Sequence, residues 1–374
     1  MDEAAVILTT LVAYKLLLVG IGLWAERRNT SGADYFLGGR RLGPLVAAIS
    51  ASASSSSGWT LLGVSGAAWK DGLSALWLFP ACVGGFLLNW YVLAPALQRY
   101  SHRTGAITVT DVLAGQGERR SRAIATLAAL IVLLSLGAYV ASQYQAAGKT
   151  FHEALDAPLE TSILAGAGVV LIYTLLGGFW AVSITDTLQG LVMAATATIL
   201  PIAALIHIGG FGALGAELAR VAPEGWLALG GPRPTSVAIG ATIGLLGIGL
   251  AYPGQPHVVN RFMALREGRA TLVRARRMAL TWALLVYAGM LLLGICGRAL
   301  FPTSLDGEVV FLKATRALFH PLIAGVMVAA VLSAIMSTVD SQLLVAASAV
   351  THDLRLGGPD ERSMLLRSRA TVLV

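Results

Sequence analysis

The sequence predicts an all-α protein that crosses a membrane many times, and three observations carry that expectation. Of 374 residues, 56% are hydrophobic and 13% charged, with a mean hydropathy of +0.73, whereas a soluble domain carries about 25% charged residues. The apolar residues collect into runs of roughly 20 or more, the length an α-helix needs to cross the hydrocarbon of a bilayer. The 27 lysines and arginines gather mostly in alternate loops between those runs. A net charge of +7 would point to nucleic acid in a soluble protein; here the loops account for it, and neither nucleic acid nor an enzyme is called for.

Nine spans are predicted, near 4–24, 43–68, 75–97, 123–147, 160–180, 187–208, 234–254, 277–300 and 321–350. One set of loops carries Arg27, Arg28, Arg40 and Arg41, then Arg99, Arg103, Arg119, Arg120 and Arg122, then Arg261, Arg266, Arg269, Arg274, Arg276 and Arg277, with Arg355, Arg362, Arg367 and Arg369 in the tail. The other set is poorer in base, with Lys70, Lys149, Arg220, Arg233, Arg298, Lys313 and Arg316, and holds the acids Glu153, Asp156, Glu160, Asp306 and Glu308. Basic loops stay on the cytoplasmic side. The expected topology therefore puts the N-terminus outside and the C-terminus in the cytoplasm of a plasma or inner cell membrane.

The first apolar segment follows Asp2 and Glu3 and runs into Glu26-Arg27-Arg28, so it reads as a span and not as a cleavable signal peptide. Cys82 and Cys296 both fall in apolar spans and imply no disulfide framework. Ala370 to Val374 read as the first turns of a tenth span, as in a fragment.

The second span is the unusual one. Leu42 to Ala67 reads LGPLVAAISASASSSSGWTLLGVSGA, with Ser50, Ser52, Ser54, Ser55, Ser56, Ser57 and Gly58 in its middle. In hydrocarbon every backbone N–H and C=O must be satisfied within the protein. Serines bonding back to earlier carbonyls fit a continuous helix. So many together with a glycine favour a broken one, whose freed carbonyls and half-helix ends hold an ion and a polar solute.

The seventh span ends LLGIGLAYPGQPHVVNRF. Pro253, Gly254 and Pro256 cannot sit in a regular helix interior without a kink. That makes a second interrupted span, although a helix end at the cytoplasmic surface competes for the GQPH portion. Tyr252, a turn earlier, is placed to face a cavity. In the ninth span Ala334, Ser337, Thr338 and Ser341 recur at i, i+3, i+4, i+7 and share a face. Small residues so spaced serve either helix packing or, through their oxygens, a hard cation. Asp340, at a depth where a carboxylate is expensive, favours the second.

Asp186 closes the connection between spans five and six and suits either a helix N-cap or an ion path. Lys15 reads as snorkelling or packed in a peripheral span. His152, His257, His320 and His352 lie near span ends and are assigned no chemistry. No metal-ligand cluster, phosphate loop or nucleophile elbow is evident in the sequence.

Residues 35–44 (YFLGGRRLGP), 57–59 (SGW), 177–189 (GGFWAVSITDTLQ), 249–264 (GLAYPGQPHVVNRFMA) and 336–345 (MSTVDSQLLV) with the following THDL resemble the sodium:solute symporter family, and within it the sodium/proline branch. The resemblance implies a leucine-transporter-type fold of two inverted five-helix repeats after an extra first helix. Residues 1–42 would be the extra helix and its loop, 43–208 repeat one, and 234–374 a truncated repeat two, all in a single transporter domain.

It implies a sodium site formed by the backbone carbonyls of Ala53, Ser56 and Ala334 and the hydroxyls of Ser337 and Thr338. It also implies a substrate side including Ser57, Trp59, Tyr139, Tyr252 and Pro256. Asp186, Asp340 and Ser341 are a candidate second cation site. Two departures stand out: Ser55 where the proline branch has Asp, and Ile248 where it has Trp. They bear on ion coupling and on the solute, leaving more room than proline needs. The expected activity is Na⁺-coupled symport of a small solute such as an amino acid, with Na⁺ as coupling ion, no other cofactor, and the bilayer as surroundings. Proton coupling, or a sensor module of a membrane histidine kinase, are the alternatives.

The loop-charge asymmetry predicts that cysteines replacing Arg120 or Arg274 are shielded from an impermeant thiol reagent in intact cells. Cysteines replacing Lys149 or Glu308 react, all in a background lacking Cys82 and Cys296. Labelling at position 274 from outside reverses the topology.

Overall fold

The structure is a computed structural model that describes residues 3–26, 37–115, 121–155, 158–164, 167–168, 179–303 and 306–354, with 367, 370 and 371. Helix α1 spans Glu3–Glu26, and α2, Pro44–Ser54, starts with proline in its first turn, where the missing N–H costs nothing. After a gap of a few residues a π-helical turn, Trp59–Gly63, runs into α3, Val64–Asp71. A 3₁₀ segment, Gly72–Trp77, turns the chain into α4, Leu78–Leu88, which continues through a π-turn into α5, Ala94–Thr104.

Short α6, Val109–Ala114, is closed by a capping box between Thr108 and Asp111. Then come α7, Arg122–Leu155; α8, Phe179–Ile208; amphipathic α9, Gly210–Val221; and α10, Thr235–Gly247. A 3₁₀ stretch, Ile248–Gly254, leads to α11, Pro256–Ala264. The last elements are α12, Arg269–Leu300; α13, Val310–Leu318; and α14, Pro321–Ser348.

Among the described residues, six continuous helical stretches are long and apolar enough to cross a membrane, and the apolar parts of α1 and α2 are shorter. Eight of the nine expected spans coincide with helices. The fifth, 160–180, falls mostly outside the described residues, as does most of the expected tenth-span segment. Both interruptions are present. The seventh span does not end at the proline pair, because α11 continues it as a second half-helix. All but one of the residues of α11 are buried, which rules out a surface helix end for the GQPH portion.

Helix α14 is the axis of the bundle. Its most apolar window is 83% buried, against 11% for α10 on the periphery. Around it pack α1, α2, α7 and α8. The extended residue before α2 is pinned to the end of α11 by two backbone bonds, Leu42 N–H to the Ala264 carbonyl at 3.1 Å and Arg266 N–H to the Leu42 carbonyl at 3.0 Å. The two broken elements are thus fastened to each other.

Helix α12 lies close on its neighbours because glycines stand at the crossings, as in many membrane bundles. A Cβ on Gly289 would sit 1.8 Å from the Ala197 carbonyl oxygen of α8, and one on Gly294 2.2 Å from the Ser65 oxygen of α3. Gly289→Ala is accordingly expected to cost about 1–3 kcal/mol through forced separation of the two helices. Gly244→Ala, whose Cβ meets nothing within 4 Å, should stay within about 0.5 kcal/mol. Thermal unfolding of the two purified variants in detergent checks the contrast.

Candidate ion and solute site

The break in the second span is built by its own serines. The Ser52 hydroxyl donates to the Ala48 carbonyl at 2.8 Å and that of Ser55 to the Ser52 carbonyl at 2.9 Å, so α2 terminates on side chains that compete with the next helical turn. The Ser56 N–H bonds the Ala53 carbonyl at 3.0 Å. The helix resumes where Gly58 donates its N–H to Gln143 Oε1 at 3.1 Å and Thr60 donates to the Ser57 carbonyl at 2.9 Å.

Helix α14 faces the end of α2. The Ser337 hydroxyl lies 3.3 Å from both the Ala53 and Ala334 carbonyls. The Thr338 hydroxyl is 2.9 Å from the Ala334 carbonyl and 3.3 Å from that of Ser54. Ala53, Ala334, Ser337 and Thr338 are therefore brought together, with Ser56 in the same turn of chain. The Ser54 carbonyl belongs to this set and was not foreseen. All six residues are buried. Neutral hydroxyl and carbonyl oxygens from two helices, with no nitrogen or sulfur among them, suit a hard monovalent cation. Such an ion would turn the hydroxyl lone pairs inward, in place of the hydrogens they now donate.

Toward one end of the bundle from this cluster lies a knot of charge. Asp186 sits in the interior of α8, two turns beyond its start, so it is not an N-cap. Its Oδ2 accepts from Arg261 Nη2 at 2.6 Å, from the Ser54 hydroxyl at 2.9 Å and from that of Ser50 at 3.2 Å. Arg261 also donates through Nε to Ser50 at 2.7 Å, through Nη2 to Ser341 at 2.6 Å, and through Nη1 to the His257 carbonyl.

The charge pattern counted Arg261 as a loop residue; it is instead 1% exposed, inside α11, with Asp186 fully buried. The half-helix resumes at Pro256 and folds back into the bundle, and an arginine there is tolerated because a carboxylate and two hydroxyls meet it. The Ser341 hydroxyl donates to Asp340 Oδ1 at 3.3 Å and lies 3.4 Å from Asp186 Oδ2, so one oxygen links the two acids. The candidate second site of Asp186, Asp340 and Ser341 is thus assembled, with a guanidinium already in it. Among the described residues, Asp186 Oδ1, Asp340 Oδ2, Ser183 Oγ and both amide atoms of Gln189 are buried without a hydrogen-bond partner.

The expected solute residues divide. The Tyr139 hydroxyl donates to Ser57 Oγ at 3.0 Å. Trp59, 39% exposed, lines a cavity of about 240 Å³ with Gly58, Ser142, Gln143, Lys149 and Glu308. Tyr252 is buried in packing against its neighbours. Gly249 abuts the Ala81 carbonyl, which draws the 3₁₀ stretch onto α4, and Tyr252 is buried with its hydroxyl 2.5 Å from that of Tyr287 and its ring 5.4 Å from Phe86. Pro256 lines a separate, mostly apolar cavity of about 410 Å³ with Pro253, Asn260, Thr108 and Asp353. Gln143, which joins the break to α7, went unremarked in the sequence; its signal was a polar residue one turn after Tyr139 on the same face.

A lengthwise broken helix, with ion-type oxygens at the break and a second broken helix fastened to it, defines a transporter-type membrane bundle. Over its whole length the chain superposes on 80% of a Na⁺-coupled sialic acid symporter solved in a substrate-bound outward-open state that reveals a novel Na⁺ site, with a TM-score of 0.83 and 19% identity. This establishes the leucine-transporter-type fold. The family model for the sodium:solute symporter family matches residues 35–374, and the chain belongs to that family. Relatives include the osmoregulated proline transporter OpuE of Bacillus subtilis, 37% identical over 98% of this chain and 75% of its own length. The sodium/proline symporter of Escherichia coli is 37% identical over 91% of this chain and 68% of its own length.

The buried ion pair makes a direct prediction. Arg261→Met leaves Asp186 charged and unpaired, which costs about 3–5 kcal/mol. Arg261→Met with Asp186→Leu should recover most of it, because a pair replaced by apolar groups of similar size is near neutral. Equal loss in the single and double variants, read by thermal unfolding, contradicts the pairing.

Proposed function

We propose that this multi-pass membrane protein is a secondary transporter coupling Na⁺ entry to uptake of a small amino acid, proline or a close relative, by alternating access. The observation that carries the proposal is the convergence of the Ser337 and Thr338 hydroxyls on the Ala53 and Ser54 carbonyls at the helix break. The Na⁺ ligands are the carbonyls of Ala53, Ser56 and Ala334 and the hydroxyls of Ser337 and Thr338. The membrane potential alone contributes ~2.3 kcal/mol per charge per 100 mV to each turnover.

Coupling follows from position. The ion would join α2 to α14, while Ser57, Trp59 and Tyr139, within a turn or two of it, meet the solute. Whichever ligand binds first favours the arrangement the other requires, and the effect is reciprocal. Trp59 offers a flat apolar wall; Ser57, Tyr139 and Gln143 offer polar groups at the same end, a set that fits a small zwitterion with a modest apolar side chain. The names of the relatives support an amino acid of the proline class. Ile248, part-buried one turn before Tyr252 in the same 3₁₀ stretch, offers less bulk and no N–H compared with an indole.

The N-terminus is outside, so that the Lys149–Glu308 mouth beside Trp59 faces the exterior. Residues 43–208 and 234–374 are the two inverted halves after an extra first helix. The cell membrane and the two cargoes are the partners this reading requires.

Thr338→Ala removes one of five oxygens, so Na⁺ binding weakens without being lost. A hydrogen bond to a charged group is worth about 1.5–3 kcal/mol, so the Na⁺ concentration for half-maximal uptake should rise roughly 10–100-fold. The KM for labelled proline at saturating Na⁺ should move by a smaller factor. Uptake that does not depend on Na⁺ in the unaltered protein overturns the proposal in favour of proton coupling.

A further inference from the structure

Two acids stand at the inner end of the ion cluster, and Arg261 directly contacts only one of them. Asp186 takes one hydrogen bond and an opposite charge from the guanidinium, while Asp340 is reached only through Ser341. Asp340 is fully buried, and its Oδ2 has no hydrogen-bond partner among the described residues. A carboxylate so placed draws a cation toward it.

A cation without an acidic hydrogen-bond partner among the described residues, Lys15, stands on α1. That helix packs on α14 along a line of contacts. Thr10 meets Gly325, the Tyr14 hydroxyl is 2.7 Å from Ser333 Oγ, and half-buried Lys15 sets its Nζ against the sulfur of Met336. A thioether is a weak acceptor for an ammonium. Met336 and Asp340 are four residues apart on one helix, so their Cβ atoms lie about 5–6 Å from each other. The sulfur that meets the Lys15 head group is therefore one helical turn from Asp340. Lys15 lies well inside an apolar helix, so snorkelling to the interface does not account for a head group held against α14.

We propose that Lys15 is a tethered counter-cation for Asp340, so that the inner acid pair carries its own two cations, Arg261 and Lys15, and the protein binds and moves a single Na⁺ per solute. This rests on the Na⁺-coupled reading above. It gives α1, which lies outside the two halves, a part in ion stoichiometry. In effect the lysine holds a position that a free ion would otherwise take. The flexible four-carbon stem lets Nζ pass between Met336 Sδ and Asp340 Oδ2 as the helices shift, while Arg261 stays fixed by its fork of contacts.

The test counts ions. Radiolabelled Na⁺ bound per purified protein, without solute, should be one in the unaltered chain and two in Lys15→Met, and one again in Lys15→Met with Asp340→Asn. Lys15→Arg should keep a count of one. In proteoliposomes the charge moved per solute should rise from one to two in Lys15→Met, and the Na⁺ Hill coefficient should rise with it.

Two Na⁺ per unaltered protein overturns the inference, and that count needs no variant to fold. A count of one in a well-folded Lys15→Met also overturns it. No Na⁺ bound by the unaltered protein overturns the parent reading and this inference together, which tells the two failures apart.

Discussion

A bilayer offers the backbone no water, so a helix that stops in mid-membrane must have its loose ends met by other parts of the same chain. In this protein the stop lies between Ser54 and Gly58, and much of the bundle is arranged around meeting it. Helix α14 supplies two hydroxyls to the carbonyl side, and α7 supplies Gln143 to the amide side. That is why α14 is the most enclosed of the six long spans and why its small residues face α2. The same arrangement gives function a foothold. Carbonyls held by weak hydroxyl contacts are available to a cation, and the amides and aromatic groups just beyond them are available to a polar solute.

Charge is placed around that break with economy. Four ionisable side chains, Lys15, Asp186, Arg261 and Asp340, lie in or beside the apolar bundle, two basic and two acidic. Bases and acids are matched in number, and Arg261 is paired directly with Asp186. The main oxygen cluster contains none of them. The proposed Na⁺ ligands are neutral, so an entering ion would bring net charge, and the membrane potential would act on it. The acid pair stands next to that cluster through Ser54, whose carbonyl meets Thr338 and whose hydroxyl meets Asp186. One residue therefore couples the ion site to the fixed charges.

The all-α membrane architecture and both interruptions were legible in the sequence, because they depend on composition and on residues that cannot continue a helix. The oxygen face of α14 was legible from its period. Arg261 was not. Charge counting assigns every arginine near a span end to a loop, and nothing local distinguishes Arg261 from Arg266 five residues on. Only the return of α11 into the bundle, fixed by the Leu42 bridge, buries it. Of the two options open for Asp186, the N-cap fails for the same reason: the helix starts earlier than its apolar run, so the residue is interior. Pro256 carries the family resemblance but lines a different cavity from Trp59, because it opens α11 beyond the 3₁₀ stretch, while Tyr252 turns its ring onto Phe86 and its hydroxyl onto Tyr287.

The account depends on Na⁺, held at a neutral oxygen cluster, driving solute uphill. The direct measurement is accumulation of labelled proline in proteoliposomes given an inward Na⁺ gradient, with pH equal on both sides and the potential clamped. Accumulation above the outside concentration, abolished when the Na⁺ gradient is collapsed, is the result the account predicts. Accumulation driven by a proton gradient with Na⁺ absent would contradict it.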